Sequence, residues 1–160
     1  MTIEVRPAVA ADARGIATVH VEAWREAYPH LLSADTLARL SIDQRELRWA
    51  ELIPADRPDA WVAVDGGIVI GWATSSRGHL ADEPRDLELE GIYIRASHYG
   101  SGAGQALLDA AVGTQPAFLC VADDNPRAIA FYERNGFARD GTRNTVPLAG
   151  TPVEVVRLVR

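Results

Sequence analysis

Between Leu87 and Val112 the chain passes from an apolar, β-branched octet into a cluster of glycines and out again into a helical repeat. Few folds accommodate that succession. Leu87 to Ile94 predicts a strand, and strict alternation would put Glu88, Glu90, Ile92 and Ile94 on one face of it. Gly100, Gly102 and Gly104 follow, after which Ala103, Ala106, Leu107, Ala110 and Ala111 recur at helical spacing. A glycine loop feeding a helix leaves backbone N–H groups at the positive end of the helix dipole, with no Cβ atoms to hold an anion away. In outline this is a phosphate cradle. Neither familiar phosphate signature is met: there is no Gly-x4-Gly-Lys-Ser/Thr, and Gln105 stands where the dinucleotide fingerprint needs its third glycine. Asp123 and Asp124, after the next strand, lie where a ribose-binding acid would be, which keeps a Rossmann-type nucleotide-binding domain as an alternative.

A second stretch, from Asn125 to Phe137, carries complete helix punctuation: Asn125 as N-cap, Pro126 as first helical residue and Gly136 just past the end. Taken together, Tyr-Gly-Ser-Gly-Ala-Gly from Tyr99 and Asn-x-x-Ala-x-x-Phe-Tyr-x-x-x-Gly-Phe from Asn125 resemble the GNAT superfamily of N-acetyltransferases. Both signatures come in the family's order, within residues 87 to 140. The family loop usually starts with Gln or Arg, and here that position is Tyr99, which removes one side-chain donor to a pyrophosphate but leaves the backbone donors.

The resemblance implies acetyl-CoA as cosubstrate, an amine as acceptor and no metal. It implies that the loop Tyr99, Gly100, Ser101, Gly102, Ala103 and Gly104, with Gln105, holds the pyrophosphate, and that Ile92, Tyr93 and Ile94 pair with the pantetheine arm. Asn125 would touch the same arm, although capping a helix is already a sufficient reason for it. Gly91 would mark a bulge whose free N–H polarises a thioester carbonyl. Tyr132 falls at the family's tyrosine, where a phenol protonates the departing thiolate; a packed aromatic beside Phe131 is the other reading of it. Glu88 aligns with the glutamate that some relatives use as a base, and Glu90 lies one pleat further on; both also read as solvated strand carboxylates. A coenzyme A-binding sensor without catalysis is a further alternative.

The rest of the chain limits what these motifs serve. At 160 residues the expectation is one domain, residues 1–160, large enough to bury about two-thirds of its unfolded surface. No apolar run approaches the length of a membrane span, and Glu4, Arg6 and Asp12 occupy the place of a signal peptide's apolar core, so a cytoplasmic location is expected. The net charge of −6 argues against nucleic acid as partner, and homodimerisation is left open. Cys120, the single cysteine, sits in the apolar run Ala117 to Ala122 and reads as an inert core thiol.

In order, a first strand (Thr2 to Arg6) precedes a helix from Asp12 to Tyr28, on whose stripe Ile16, Val19, Ala23, Trp24, Ala27 and Tyr28 fall, with His20 at the edge. Ser33 caps a second helix, and Ser41 to Gln44 opens a third with Leu47, Trp49, Leu52 and Ile53 as its buried side. Pro54, Asp56, Pro58 and Asp59 read as a loop, and His79 falls in a polar connection. Trp61 to Val64 and Ile68 to Ser75 form a hairpin at Asp65-Gly66-Gly67. Ala117 to Val121 follows as a strand parallel to the central one, and Phe137 to Asp140 with Pro152 to Val159 as a closing pair around a loop from Gly141 to Thr151. The fold expected is α+β, a mixed, mostly antiparallel sheet flanked by helices. Trp24, Tyr28 and His30, rigid aromatic surface at the end of the first helix, are the expected acceptor-binding residues.

Overall fold

The computed structural model describes residues 2–55, 58–78 and 81–160. One seven-stranded sheet carries the chain, in the order β1-β2-β3-β4-β5-β7-β6. The strands are β1 (Ile3–Pro7), β2 (Asp59–Asp65), β3 (Ile68–Ser76), β4 (Glu88–Ile94), β5 (Phe118–Ala122), β6 (Ala138–Leu148) and β7 (Thr151–Val159). All neighbours are antiparallel except β4 and β5, which run parallel because a helix connects them. That helix, α4 (Ala103–Ala111), and α5 (Pro126–Arg134) cover one face; α1 (Ala13–Ala27), α2 (Ala34–Ala38) and α3 (Ile42–Ala55) cover the other. The expected architecture is found. Among the described residues no helix is long and apolar enough to cross a membrane.

The helix starts and stops expected from local chemistry hold. Ser33 Oγ accepts from the Thr36 N–H, Ser41 Oγ from the Gln44 N–H, and Asn125 Oδ1 from the Ala128 N–H at 3.3 Å, so each helix begins where a side chain replaces a missing turn. Four expectations need correction. Leu47 is 70% exposed, because Trp49 and Ile53 set the buried side of α3 and Leu47 lies two residues, over half a turn, from Trp49. Pro54 belongs to the last turn of α3 rather than to a loop; Asp56 and His79 lie outside the described residues. Gly141 to Thr151 is not a loop: β6 continues to Leu148 and turns at Ala149-Gly150, both at positive φ. A bulge between Arg139 and Arg143 breaks the alternation that would have announced the longer strand.

His20 is the fourth correction. It is 8% exposed and lies at the centre of a cluster, with Trp24, Trp49, Trp72 and Tyr93 rings all within 6.3 Å of it and both ring nitrogens without a hydrogen-bond partner. Four elements supply those rings, so the stripe on α1 alone could not reveal it. Burial, reinforced by the Arg45 guanidinium, pushes its pKa down to about 3. The unfolded chain therefore takes up a proton near pH 6.5 that the folded chain refuses, and stability falls as pH drops below that value. Thermal unfolding should show a loss of about 1.6 kcal/mol between pH 6.5 and 5, the slope steepening toward about 1.4 kcal/mol per pH unit. His20→Gln should remove that slope; an unchanged slope in the variant would assign the acid sensitivity to other groups.

Candidate active site at the parting of the sheet

β4 and β5 are paired only at their start. Glu88 registers with Phe118, the Phe118 N–H donates to the Leu87 carbonyl at 3.0 Å, and beyond that point the strands separate. A cavity of about 790 Å³ occupies the gap. It runs from the glycine loop, between β4, β5 and α5, to the end of α1 and the β6–β7 hairpin.

The glycine-loop end is built from the loop and two helices. Gly100 and Gly102 have φ of 77° and 89°, and a Cβ built on either meets no atom within 4 Å, so the loop is open to an approaching group on that side. Gly102 is the N-cap of α4 and supplies no side-chain cap, which leaves the first-turn N–H groups of Gly104 and Gln105 for an anion. Ser101 Oγ accepts from the Ala103 N–H, and Ala103 itself is buried in the core, so neither residue lines the cavity. Tyr99, Gly100, Gly102, Gly104 and Gln105 do, together with Ile92, Tyr93, Ile94 and Asn125. Arg127, which sequence reasoning passed over, projects from the first turn of α5 and stacks its guanidinium 3.3 Å from the centre of the Tyr99 ring. A cation is thus held across the very residue that replaces the usual Gln or Arg. The sequence showed the departure at Tyr99 but not its partner, 28 residues on.

Midway along the parted strands lie Tyr132 and the bulge of β4, both on the cavity lining. Thr74 pairs with Gly91 and Ser75 with Leu89, so Glu90 is the extra residue, as the glycine at 91 suggested. A Cβ on Gly91 would come within 3.1 Å of the Tyr93 ring. The bulge also corrects the expected facing of the two acids. Leu89 shares a core cluster with Ile92 and Ile94, three and five residues on, so Glu88 is turned to the opposite face from those isoleucines. Glu90 lines the cavity and accepts from Ser76 Oγ at 2.7 Å, whereas Glu88 is not among the lining residues. Tyr132 is 7% exposed and lines the cavity; burial, then the neighbouring Tyr28 phenol, keep its phenol protonated far above ordinary pH.

At the far end the aromatic expectation divides. Tyr28 lines the cavity, with its hydroxyl 3.1 Å from that of Tyr93, and burial raises the pKa of both phenols. Trp24 is core, 8% exposed against Tyr28, Leu32 and Leu37, because the stripe of α1 turns it inward. His30 is occupied elsewhere: its Nε2–H donates to the Asp124 carbonyl at 2.7 Å, tying the end of α1 to the loop before α5. Cys120 is exposed on β5 and lines the cavity, not the core, since Leu119 takes the inward side of that strand.

A parallel pair that parts after one contact, a glycine-capped helix beside it and a tyrosine in the gap frame the candidate site. The model of the acetyltransferase (GNAT) family matches residues 16–137, and the chain belongs to that family. It is 32% identical over 138 residues to the uncharacterized N-acetyltransferase YuaI of Bacillus subtilis (strain 168), covering 82% of this chain and 78% of that one. It is 29% identical over 139 residues to the uncharacterized N-acetyltransferase Rv2669 of Mycobacterium tuberculosis, covering 82% and 86%. Among solved structures, PaiA N-acetyltransferase from Thermoplasma acidophilum in complex with coenzyme A shares the fold at a TM-score of 0.77 and 20% identity, over 100% of both chains. YncA from Salmonella typhimurium with its cofactor acetyl-CoA does so at 0.70 and 20%, over 100% of this chain and 94% of that one. The family excludes the Rossmann alternative.

Proposed function

We propose that this chain is an acetyl-CoA-dependent N-acetyltransferase that passes the acetyl group directly to a primary amine while both substrates are bound. The observation that carries this reading is the one cavity joining the glycine loop to the end of α1 through the parted strands, with Tyr132 on its lining. Acetyl-CoA supplies an activated acyl group on sulfur. The loop glycines and the first turn of α4 hold its pyrophosphate through backbone N–H groups, and β4 from Ile92 to Ile94 offers its unpaired edge to the amide-bearing arm. The amide freed at the Glu90–Gly91 bulge polarises the carbonyl. As the amine nitrogen bonds to the carbonyl carbon and the carbon–sulfur bond breaks, the Tyr132 phenol gives its proton to the leaving sulfur. Glu90, directly or through water, takes the proton shed by the amine; Glu88 is the second candidate for that role, from the far face of the strand.

Thiol release from acetyl-CoA across amines, with the acetylated product identified by mass, tests the reading. Binding of acetyl-CoA with no thiol released from any amine would leave a coenzyme A sensor. One further residue belongs to the same test. Arg127 supplies the guanidinium that the loop lacks at Tyr99, so Arg127→Ala should weaken acetyl-CoA binding by about tenfold, the worth of one charge-assisted contact. Calorimetry at two salt concentrations measures it, and an unchanged affinity would reduce Arg127 to a cover for the Tyr99 ring.

A further inference from the structure

The acceptor half of the cavity has a chemical character of its own. Ala23, Ala27, Val146, Leu148, Val153 and Val155 form its walls, contributed by α1 and the β6–β7 hairpin. Among the described residues that line the whole cavity, Glu90 is the one carboxylate. The basic side chains that line it are all at the other end. His98 pairs with Asp65 just before the glycine loop, Arg127 stacks on Tyr99, and Arg134 lies 5.9 Å over Phe131, which a Cβ on Gly104 would touch. Basic side chains near the acceptor end stand outside the cavity lining: Arg45 lies over the Trp24 ring at 5.3 Å, and others are held in ion pairs. Arg157, opposite Cys120 in the ladder, bridges Asp140 and Glu83; Arg139 and Arg143 both hold Asp123. The two phenols, Tyr28 and Tyr93, are kept neutral by burial and bond to each other.

An acceptor entering here meets one negative charge and an apolar wall. A carboxylate on the acceptor would find no counter-charge and would lose its water, a cost that an uncharged stem avoids. A polycation would satisfy one ammonium at most and lay the others on valines. Resting on the acetyl-transfer reading above, we infer that the acceptor is a monoamine on an apolar stem that carries no carboxylate, and that Val146, Leu148, Val153 and Val155 set this preference.

Three acceptors separate the possibilities: 2-phenylethylamine, L-phenylalanine, which differs from it by the carboxylate alone, and spermidine, which lacks the apolar stem. Thiol release should give 2-phenylethylamine a kcat/KM at least about 10²-fold above L-phenylalanine, the effect of one uncompensated buried charge. Spermidine should fall below 2-phenylethylamine as well. Val146→Lys, at a position 37% exposed and so tolerant of a long side chain, places a cation beside the wall. It should raise the L-phenylalanine to 2-phenylethylamine ratio about three- to tenfold while the acetyl-CoA dissociation constant stays fixed. L-phenylalanine or spermidine turned over as well as 2-phenylethylamine, or a ratio unmoved by Val146→Lys, would overturn the inference and leave acetyl transfer standing. Acetyl-CoA bound but no thiol released with any of the three would overturn acetyl transfer and the inference together.

Discussion

Tyr132→Phe should lower kcat by on the order of 10²- to 10⁴-fold while the acetyl-CoA dissociation constant barely moves, the range expected when a positioned proton donor is lost. The substitution keeps the ring that packs at 5.3 Å from Phe131 and 6.0 Å from Phe137, so the fold has no reason to change. What it removes is a proton held in place: burial keeps the phenol neutral at every pH at which the enzyme would work. Single-turnover rates would separate the chemical step from product release. A single-turnover rate equal to the parent's would return Tyr132 to the core as packing alone.

Gly104→Glu should abolish coenzyme binding, with a loss on the order of 10²- to 10³-fold if its carboxylate comes within about 4 Å of a phosphate in a partly screened site. Gly104 has ordinary helical φ and lines the cavity, and an added Cβ would meet Ile94 and Phe131 at 3.9 Å, ordinary contact. The substitution is therefore tolerable to the backbone, unlike one at Gly102 with its φ of 89°. Gly104→Ala separates bulk from charge: it should keep most of the affinity and gain some helix propensity. Calorimetry alongside circular dichroism reads both, and a folded Gly104→Glu protein with parental affinity would remove the cradle from this loop.

What the sequence disclosed was whatever neighbours along the chain decide. The Asp65-Gly66-Gly67 hairpin, the Asn125–Gly136 helix and the glycine loop are each written within a dozen residues, and each forms where its punctuation puts it. The parallel pairing of β4 and β5 followed from the helix between them. What stayed hidden depends on partners far away in the chain or on a single inserted residue. One bulge at Glu90 turned Glu88 away from Ile92, and another near Gly141 concealed most of β6. The rings around His20 come from α1, α3, β3 and β4, and the Arg127–Tyr99 stack joins α5 to the loop. For the site the same division applies. The residues of the glycine-loop end were legible as motifs, whereas the apolar wall at the other end of the cavity, made largely by β6 and β7, has no motif at all.

The brief pairing of β4 with β5 has a consequence for the life of the protein in a cell. Two halves of a sheet meet at one backbone contact, and their remaining edges face a cavity into which the proposed coenzyme would fit as a strand. Occupancy and folding then draw on the same equilibrium: a ligand at a hundred times its dissociation constant adds about 2.7 kcal/mol to the folded state. Protein deprived of coenzyme would open more often along that seam, expose the edges of β4 and β5, and be cleared sooner by proteases. Its abundance would then track the acyl-CoA supply without any dedicated regulator.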